Sequence, residues 1–164
     1  MMIVCTTQGC ITDDDPDGST LTVGDNIPEF SVMMSNGEII SKSSVKGKVP
    51  VIIFFNTDCS DCRKELPVIQ SLWDNYKDNP EVVIALIARQ ESADEIEAYW
   101  NENNFTMPYS PQETRDVYSL FAASIIPRIF IANPEGVITF SSDDSDMPSL
   151  EKLTEAINSA SSSN

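Results

Sequence analysis

Val49-Pro50-Val51-Ile52-Ile53-Phe54-Phe55 is followed, after three intervening residues, by Cys59-Ser60-Asp61-Cys62. The first stretch is a continuous run of β-branched and aromatic residues, the pattern of a strand buried on both faces. The second opens a helix expected over about residues 59–76, because Cys62, Leu66, Ile69, Trp73 and Tyr76 recur at spacings of 4, 3, 4 and 3 and share one face. The cysteine pair therefore sits where a buried strand turns into a helix N-terminus. Orphan backbone N–H groups and the positive end of the helix dipole favour a thiolate there. The two-residue gap puts the second sulfur one turn later on the same side, so one thiolate can attack a disulfide and the other can resolve the mixed disulfide.

Working outward, Val82 to Ala88 reads as a second fully buried strand. Ser92 with Glu95 forms a capping box, opening a helix with Ala93, Ile96 and Trp100 as its inner stripe. Ser110, Pro111 and Glu113 predict a further helix start, with Val117, Leu120 and Phe121 facing inward. Ile129–Ala132, the turn Asn133-Pro134-Glu135-Gly136 and Val137–Phe140 predict a β-hairpin. A closing helix starts near Ser149 and carries Leu150, Leu153 and Ile157. The order strand, helix, strand, helix, helix, strand, strand, helix predicts an α/β domain, a central mixed β-sheet flanked by helices on both faces. This domain is expected over residues 21–158. Residues 1–20, with Asp13, Asp14, Asp15, Pro16 and Asp17, read as a flexible acidic segment, and residues 159–164 as a frayed, serine-rich tail.

Composition removes several function classes. The 164 residues hold 26 acids against 10 bases, a formal charge of −16, which argues against nucleic acid as a partner. The chain has no histidine, which excludes Ser-His-Asp and Cys-His sites and any metal site that needs imidazole. No cofactor or metal is expected. No apolar run approaches the roughly 20 residues of a membrane span. Four cysteines, at positions 5, 10, 59 and 62, are too few to staple a core-rich chain of this length. Cys59 and Cys62 could be half of a zinc site completed by Cys5 and Cys10, but that would tie a helix start to an acidic arm. They could also be inert thiols or a static disulfide, a reading that sits badly with their polar neighbours.

Ile126-Pro127 precedes the strand Ile129-Phe130-Ile131-Ala132. A proline there is common at a strand's first residue or edge, and propensity alone favours the trans bond. A cis bond would instead expose the backbone of Ile126 to an incoming chain.

Several blocks then fall into one order: Gly24-Asp25-Asn26-Ile27-Pro28-Glu29-Phe30, Val45-Lys46-Gly47-Lys48-Val49, Cys59 through Pro67, Ile126 through Ile131, and Pro134-Glu135-Gly136. Over about residues 22–158 the chain resembles the TlpA/ResA-type branch of the thioredoxin-like superfamily, related to the AhpC/TSA proteins. The resemblance implies a thioredoxin-like fold and thiol–disulfide oxidoreductase activity. It implies that Cys59 attacks, Cys62 resolves, Pro127 is cis and faces the cysteines, and Ile126 binds substrate backbone. Glu65 matches the acid that manages protons during exchange, and its place three residues after Cys62 makes the two helix neighbours. Pro67 matches the family's mid-helix proline. Two departures bear on redox potential and partner surface: Asp58 replaces the usual tryptophan before the first cysteine, and Ile53 replaces the buried acid of thioredoxin.

Two other functions compete. A peroxiredoxin-like peroxidase is suggested by Arg128, but Ile52 and Asn56 stand where that chemistry needs Pro and Thr. A non-catalytic binding module would not need both cysteines. The helix start favours a charged sulfur while Asp58 and Asp61 oppose it, and Arg63 and Lys64 are expected to point into solvent. The near-cancellation predicts a reducing couple, closer to about −270 mV than to about −120 mV. Expected partners are protein thiols or disulfides and an upstream electron donor, with the chain a monomer. Thr7-Gln8-Gly9 precedes Cys10 and an acidic stretch follows it. Cys10 is therefore read as the lipidated residue of a lipoprotein signal whose beginning would lie upstream of Met1, placing the protein in the periplasm or on the outer face of a membrane. Otherwise Cys5 and Cys10 are exposed thiols or a small-loop disulfide.

Overall fold

In the computed structural model, which describes residues 20–162, the apolar run forms strand β3 (Val49–Phe55), buried at every position. Its neighbours account for that burial. Strand β4 (Val82–Ala88) pairs with it in parallel, Val49 opposite Val82 through Phe55 opposite Ala88. Strand β5 (Arg128–Ala132) pairs antiparallel on the other side, and β6 (Ile138–Ser142) closes that edge, giving the order β4-β3-β5-β6. Pro50 is tolerated in a central strand because β5 reaches only as far as Val51. The parallel pair requires a crossover, and helix α1 (Ser60–Tyr76) supplies it. The acidic segment expected over residues 1–20 and the assignments to Cys5 and Cys10 fall, Thr20 apart, outside the described residues.

Helix α1 runs unbroken through Pro67 and buries Cys62, Glu65, Leu66, Ile69 and Leu72. Trp73 and Tyr76, expected inside, are half-buried at the stripe's edge. Helix α2 (Ala93–Asn103) carries the expected capping box of Ser92 and Glu95 and buries Ile96 and Trp100, but Ala93 is exposed. Along β3 successive side chains point to opposite faces. Phe55 meets Trp100 at 5.4 Å on one face, whereas Phe54 meets Tyr118 at 5.3 Å and Phe121 at 5.1 Å on the other. The sheet is therefore covered by helical segments on both sides. The last helix, α4 (Leu150–Ser161), starts on the Ser149 cap, lies beside α1 and packs on β3 and β5. The tail expected to fray from Ser159 instead continues this helix to Ser161, because Ala160 is fully buried beneath it.

Two expectations need further correction. Ser110 caps no helix: its backbone pairs with Leu86 and Ala88 on the free edge of β4, and its hydroxyl donates to Met33 O at 2.7 Å. The helix beyond it, α3, is a single turn over Asp116–Ser119, with Tyr118 and Phe121 buried and Leu120 44% exposed. Ahead of β3, two short strands, β1 (Ser31–Met33) and β2 (Ile39–Ser41), form a hairpin that the sequence reading omitted. The β5–β6 hairpin is present, and its turn has a local cause. Asn133 Oδ1 accepts from the amides of Glu135 and Val137, and Gly136 takes the positive φ of +88° that closes the turn.

Candidate active site

The site is built on the loop between β3 and α1. Cys59 is the N-cap of α1, and its sulfur accepts the Cys62 N–H at 3.2 Å. A sulfur in the capping position receives one of the orphan donors of the helix start and lies at the positive end of its dipole. Both cysteines are free thiols. Cys59 is partly exposed, whereas Cys62 is fully buried. Burial, reinforced by the Cys59 sulfur, holds the Cys62 thiol protonated far above the ordinary thiol range.

Glu65 follows one turn along the same helix and is 4% exposed, and its Oε2 finds no hydrogen-bond partner among the protein atoms. Burial pushes this carboxyl up to about 7. The result is a carboxyl that changes charge near neutrality, next to a thiol that does not readily ionise.

Ile126-Pro127 is cis, and the Ile126 carbonyl accepts from the Cys59 thiol at 3.7 Å. The structure thus brings together the expected Cys59 and Ile126 directly, with Pro127 buried next to Ile126 and with Cys62 and Glu65 beneath on α1. Ile53, where thioredoxin keeps a buried acid, is simply core at 1% exposure.

A second buried acid was not anticipated. Glu91 accepts from the Thr57 amide at 2.8 Å and from the Thr57 hydroxyl, anchoring the loop that ends in Cys59. Burial raises this carboxyl too, opposed by the two Thr57 hydrogen bonds. Asn56 adds a second tie, its side-chain amide donating to Arg89 O at 3.0 Å while its Oδ1 accepts the Asp58 amide at 2.8 Å. No periodicity marks Glu91, whose partner lies 34 residues away.

Arg63 and Lys64 are exposed, as expected, but each is also engaged locally. Arg63 turns back over the loop, donates from Nε to Thr57 O, and lies 5.3 Å over the Tyr99 ring. It approaches Asp58 at 3.9 Å, and Lys64 approaches Asp61 at 3.4 Å. Arg128, the residue that suggested a peroxidase, donates to Ser124 O at 2.9 Å.

The model of the AhpC/TSA family matches residues 23–141. The thiol-disulfide oxidoreductase ResA of Bacillus subtilis is 26% identical over 119 residues, covering 73% of this chain and 66% of that protein's own length. Among solved structures, a Bacteroides thetaiotaomicron protein provisionally described as a protein disulfide isomerase superposes with a TM-score of 0.75 at 25% identity, over 85% of this chain and 87% of that one. A thioredoxin family thiol:disulfide interchange protein from Chlorobium tepidum gives 0.70 at 20% identity, over 86% and 99%. The fold is thioredoxin-like.

Proposed function

The chain belongs to the AhpC/TSA family, and on that premise we propose that it is a thiol–disulfide oxidoreductase that reduces protein disulfides outside the cytoplasm through Cys59 and Cys62. The observation that carries the reading is the unequal burial of two cysteines at one helix start, the outer sulfur resting on the Ile126 carbonyl.

In this mechanism the Cys59 thiolate attacks one sulfur of the substrate disulfide. That S–S bond breaks, a Cys59–substrate disulfide forms, and the departing substrate sulfur takes up a proton. Cys62 then attacks the Cys59 sulfur, passing its proton to Glu65, and the second substrate sulfur leaves as a thiolate that takes up a proton from solvent. The substrate gains two electrons and the Cys59–Cys62 pair becomes a disulfide, which an upstream donor reduces again. Glu65 suits the proton step because its carboxyl titrates at about 7, so a substantial share is ionised at neutral pH. Ile126 and Pro127 would present backbone to the substrate chain.

The working unit in this reading is a monomeric domain over residues 21–158, tethered through residues 1–20 to a lipid on Cys10. Mass spectrometry of the protein from its native host tests the tether: an internal, unmodified Cys10 would remove it. The chemistry is tested with Cys62→Ser. This variant should accumulate a mixed disulfide through Cys59 when offered oxidised insulin, while Cys59→Ser should not. Failure of the wild-type chain to reduce insulin would favour a binding module instead.

A further inference from the structure

Four successive carbonyls lead into Pro127, and each receives a side-chain donor. Arg115 Nη2 donates to Ala123 O at 3.0 Å, Arg128 Nε to Ser124 O at 2.9 Å, the Tyr118 hydroxyl to Ile125 O at 2.7 Å, and the Cys59 thiol to Ile126 O at 3.7 Å. Tyr118 is itself fixed. It is 1% exposed, its ring stands edge-on to Phe54, and the guanidiniums of Arg89 and Arg115 lie 5.0 and 5.3 Å from its ring centre.

Within this clamp Ile125 has a φ of +75°. That is the left-handed region, where a β-branched residue is an outlier and glycine is at ease. The isoleucine side chain does not serve the core either, being 41% exposed while its neighbour Ile126 is 8%. A lone exposed isoleucine needs no explanation. One held in a backbone conformation that glycine adopts freely does. Strain of this kind persists where the surroundings over-determine it, and it collects at ligand-contacting positions. The position fits, since the Ile125 Cα is about 3.8 Å from that of Ile126, whose carbonyl touches the Cys59 sulfur.

We propose that Ile125 is a specificity-determining contact that takes an apolar residue flanking the cysteine of a polypeptide substrate, and that Tyr118 is the positioning residue that aims it. The proposal rests on thiol–disulfide exchange at Cys59. It adds no bond-making step: selection acts on how the chain docks, before sulfur meets sulfur.

Two synthetic peptides provide the test, each closed by one disulfide and identical except for leucine or serine immediately before the first cysteine. The prereduced protein is mixed with each peptide, and with bis(2-hydroxyethyl) disulfide as a substrate without a chain. The wild-type rate constant should favour the leucine peptide by about fivefold, the scale of one partly buried apolar side chain. Ile125→Gly should bring that ratio to near one, with a smaller loss toward the small disulfide than toward the leucine peptide. Ile125→Val should keep most of the preference, and Tyr118→Phe should lower it. Ile125→Gly relieves strain, so its folding, followed by thermal unfolding, is expected to hold. A wild type without preference, an Ile125→Gly ratio that stays put, or equal losses toward all three substrates would overturn the proposal. A wild type inert toward all three would instead overturn the exchange reading beneath it.

Discussion

Glu65 is 4% exposed, and burial moves its carboxyl from an ordinary 4.5 up to about 7. A raised carboxyl binds its proton more tightly in the folded state than in the unfolded one. Below pH 4.5 both states hold the proton and the group is neutral toward stability. Between 4.5 and about 7 only the folded state holds it, so stability falls as pH rises, and above about 7 the loss is complete. At about 1.4 kcal/mol per pH unit, the loss amounts to about 3 kcal/mol. Glutamine has nearly the same shape and cannot ionise. Glu65→Gln should therefore gain on the wild type by about 3 kcal/mol between pH 4 and pH 8, whatever constant offset the amide introduces. In a chain of this length that gain corresponds to roughly 6–12 °C in Tm. Cys62 and Glu91 also shift with burial, but both are present in the two proteins and drop out of the difference. Urea unfolding of both reduced proteins, at half-unit steps from pH 4 to 8, reads it directly. Curves that stay parallel within about 1 kcal/mol, or a variant that loses ground as pH rises, would refute the buried-acid account.

Iodoacetamide at pH 7 should modify Cys59 at least about tenfold faster than Cys62, since the latter is fully buried and held protonated; equal rates by peptide mass mapping would contradict the assignment. Thr57→Val keeps the shape of the loop but removes a donor from the buried Glu91 carboxylate, and should cost about 1–3 kcal/mol in urea unfolding at pH 7. An unchanged midpoint would mean that Glu91 does not anchor the loop. Equilibration of the Cys59–Cys62 pair with glutathione should give a potential well below about −180 mV, and a value above that would reverse the proposed direction of electron flow.

What the sequence made legible follows from how locally each feature is encoded. β3, α1 and β4 declare themselves because a long apolar run or a helical stripe needs no distant partner to be recognised. The β5–β6 hairpin is equally local, since Asn133 and Gly136 build their own turn. The β1–β2 hairpin escapes because each strand has three residues and one inward side chain, Val32 or Ile40, too little for a period to show. The helix start at Ser110 fails for the opposite reason: a sound local signal is overridden because the β4 edge needs hydrogen-bond partners and takes the Ser110 backbone. At the site, Cys59 and Cys62 are legible from spacing and position, while the cis bond at Pro127 follows from resemblance alone. Glu91 is invisible because its partner Thr57 is brought near only by folding, and Tyr118 because a hydroxyl bond to a carbonyl seven residues on leaves no mark in the apolar pattern.

The difference in burial between the two sulfurs also bears on direction. A strong oxidant owes its poise to a reduced form stabilised by a thiolate. Here the inner sulfur has little such stabilisation, because burial keeps Cys62 protonated, and a backbone hydrogen bond from Asn56 and the charge of Arg89 do not overcome it. The basic side chains nearest in sequence are occupied, Arg63 with Thr57 O and Asp58, Lys64 with Asp61. The inner sulfur thus gains little from charge, which fits the proposed reductase reading. In the proposed mechanism the remaining obstacle is kinetic, since Cys62 would have to lose a proton before resolving a mixed disulfide. The only buried group on the same helix able to take it is Glu65, whose ionisation near pH 7 is the same event that lowers stability. Resolution should therefore quicken over the pH range in which the fold weakens. Glu65→Gln should remove both trends together, leaving a sturdier protein that stalls as the mixed disulfide.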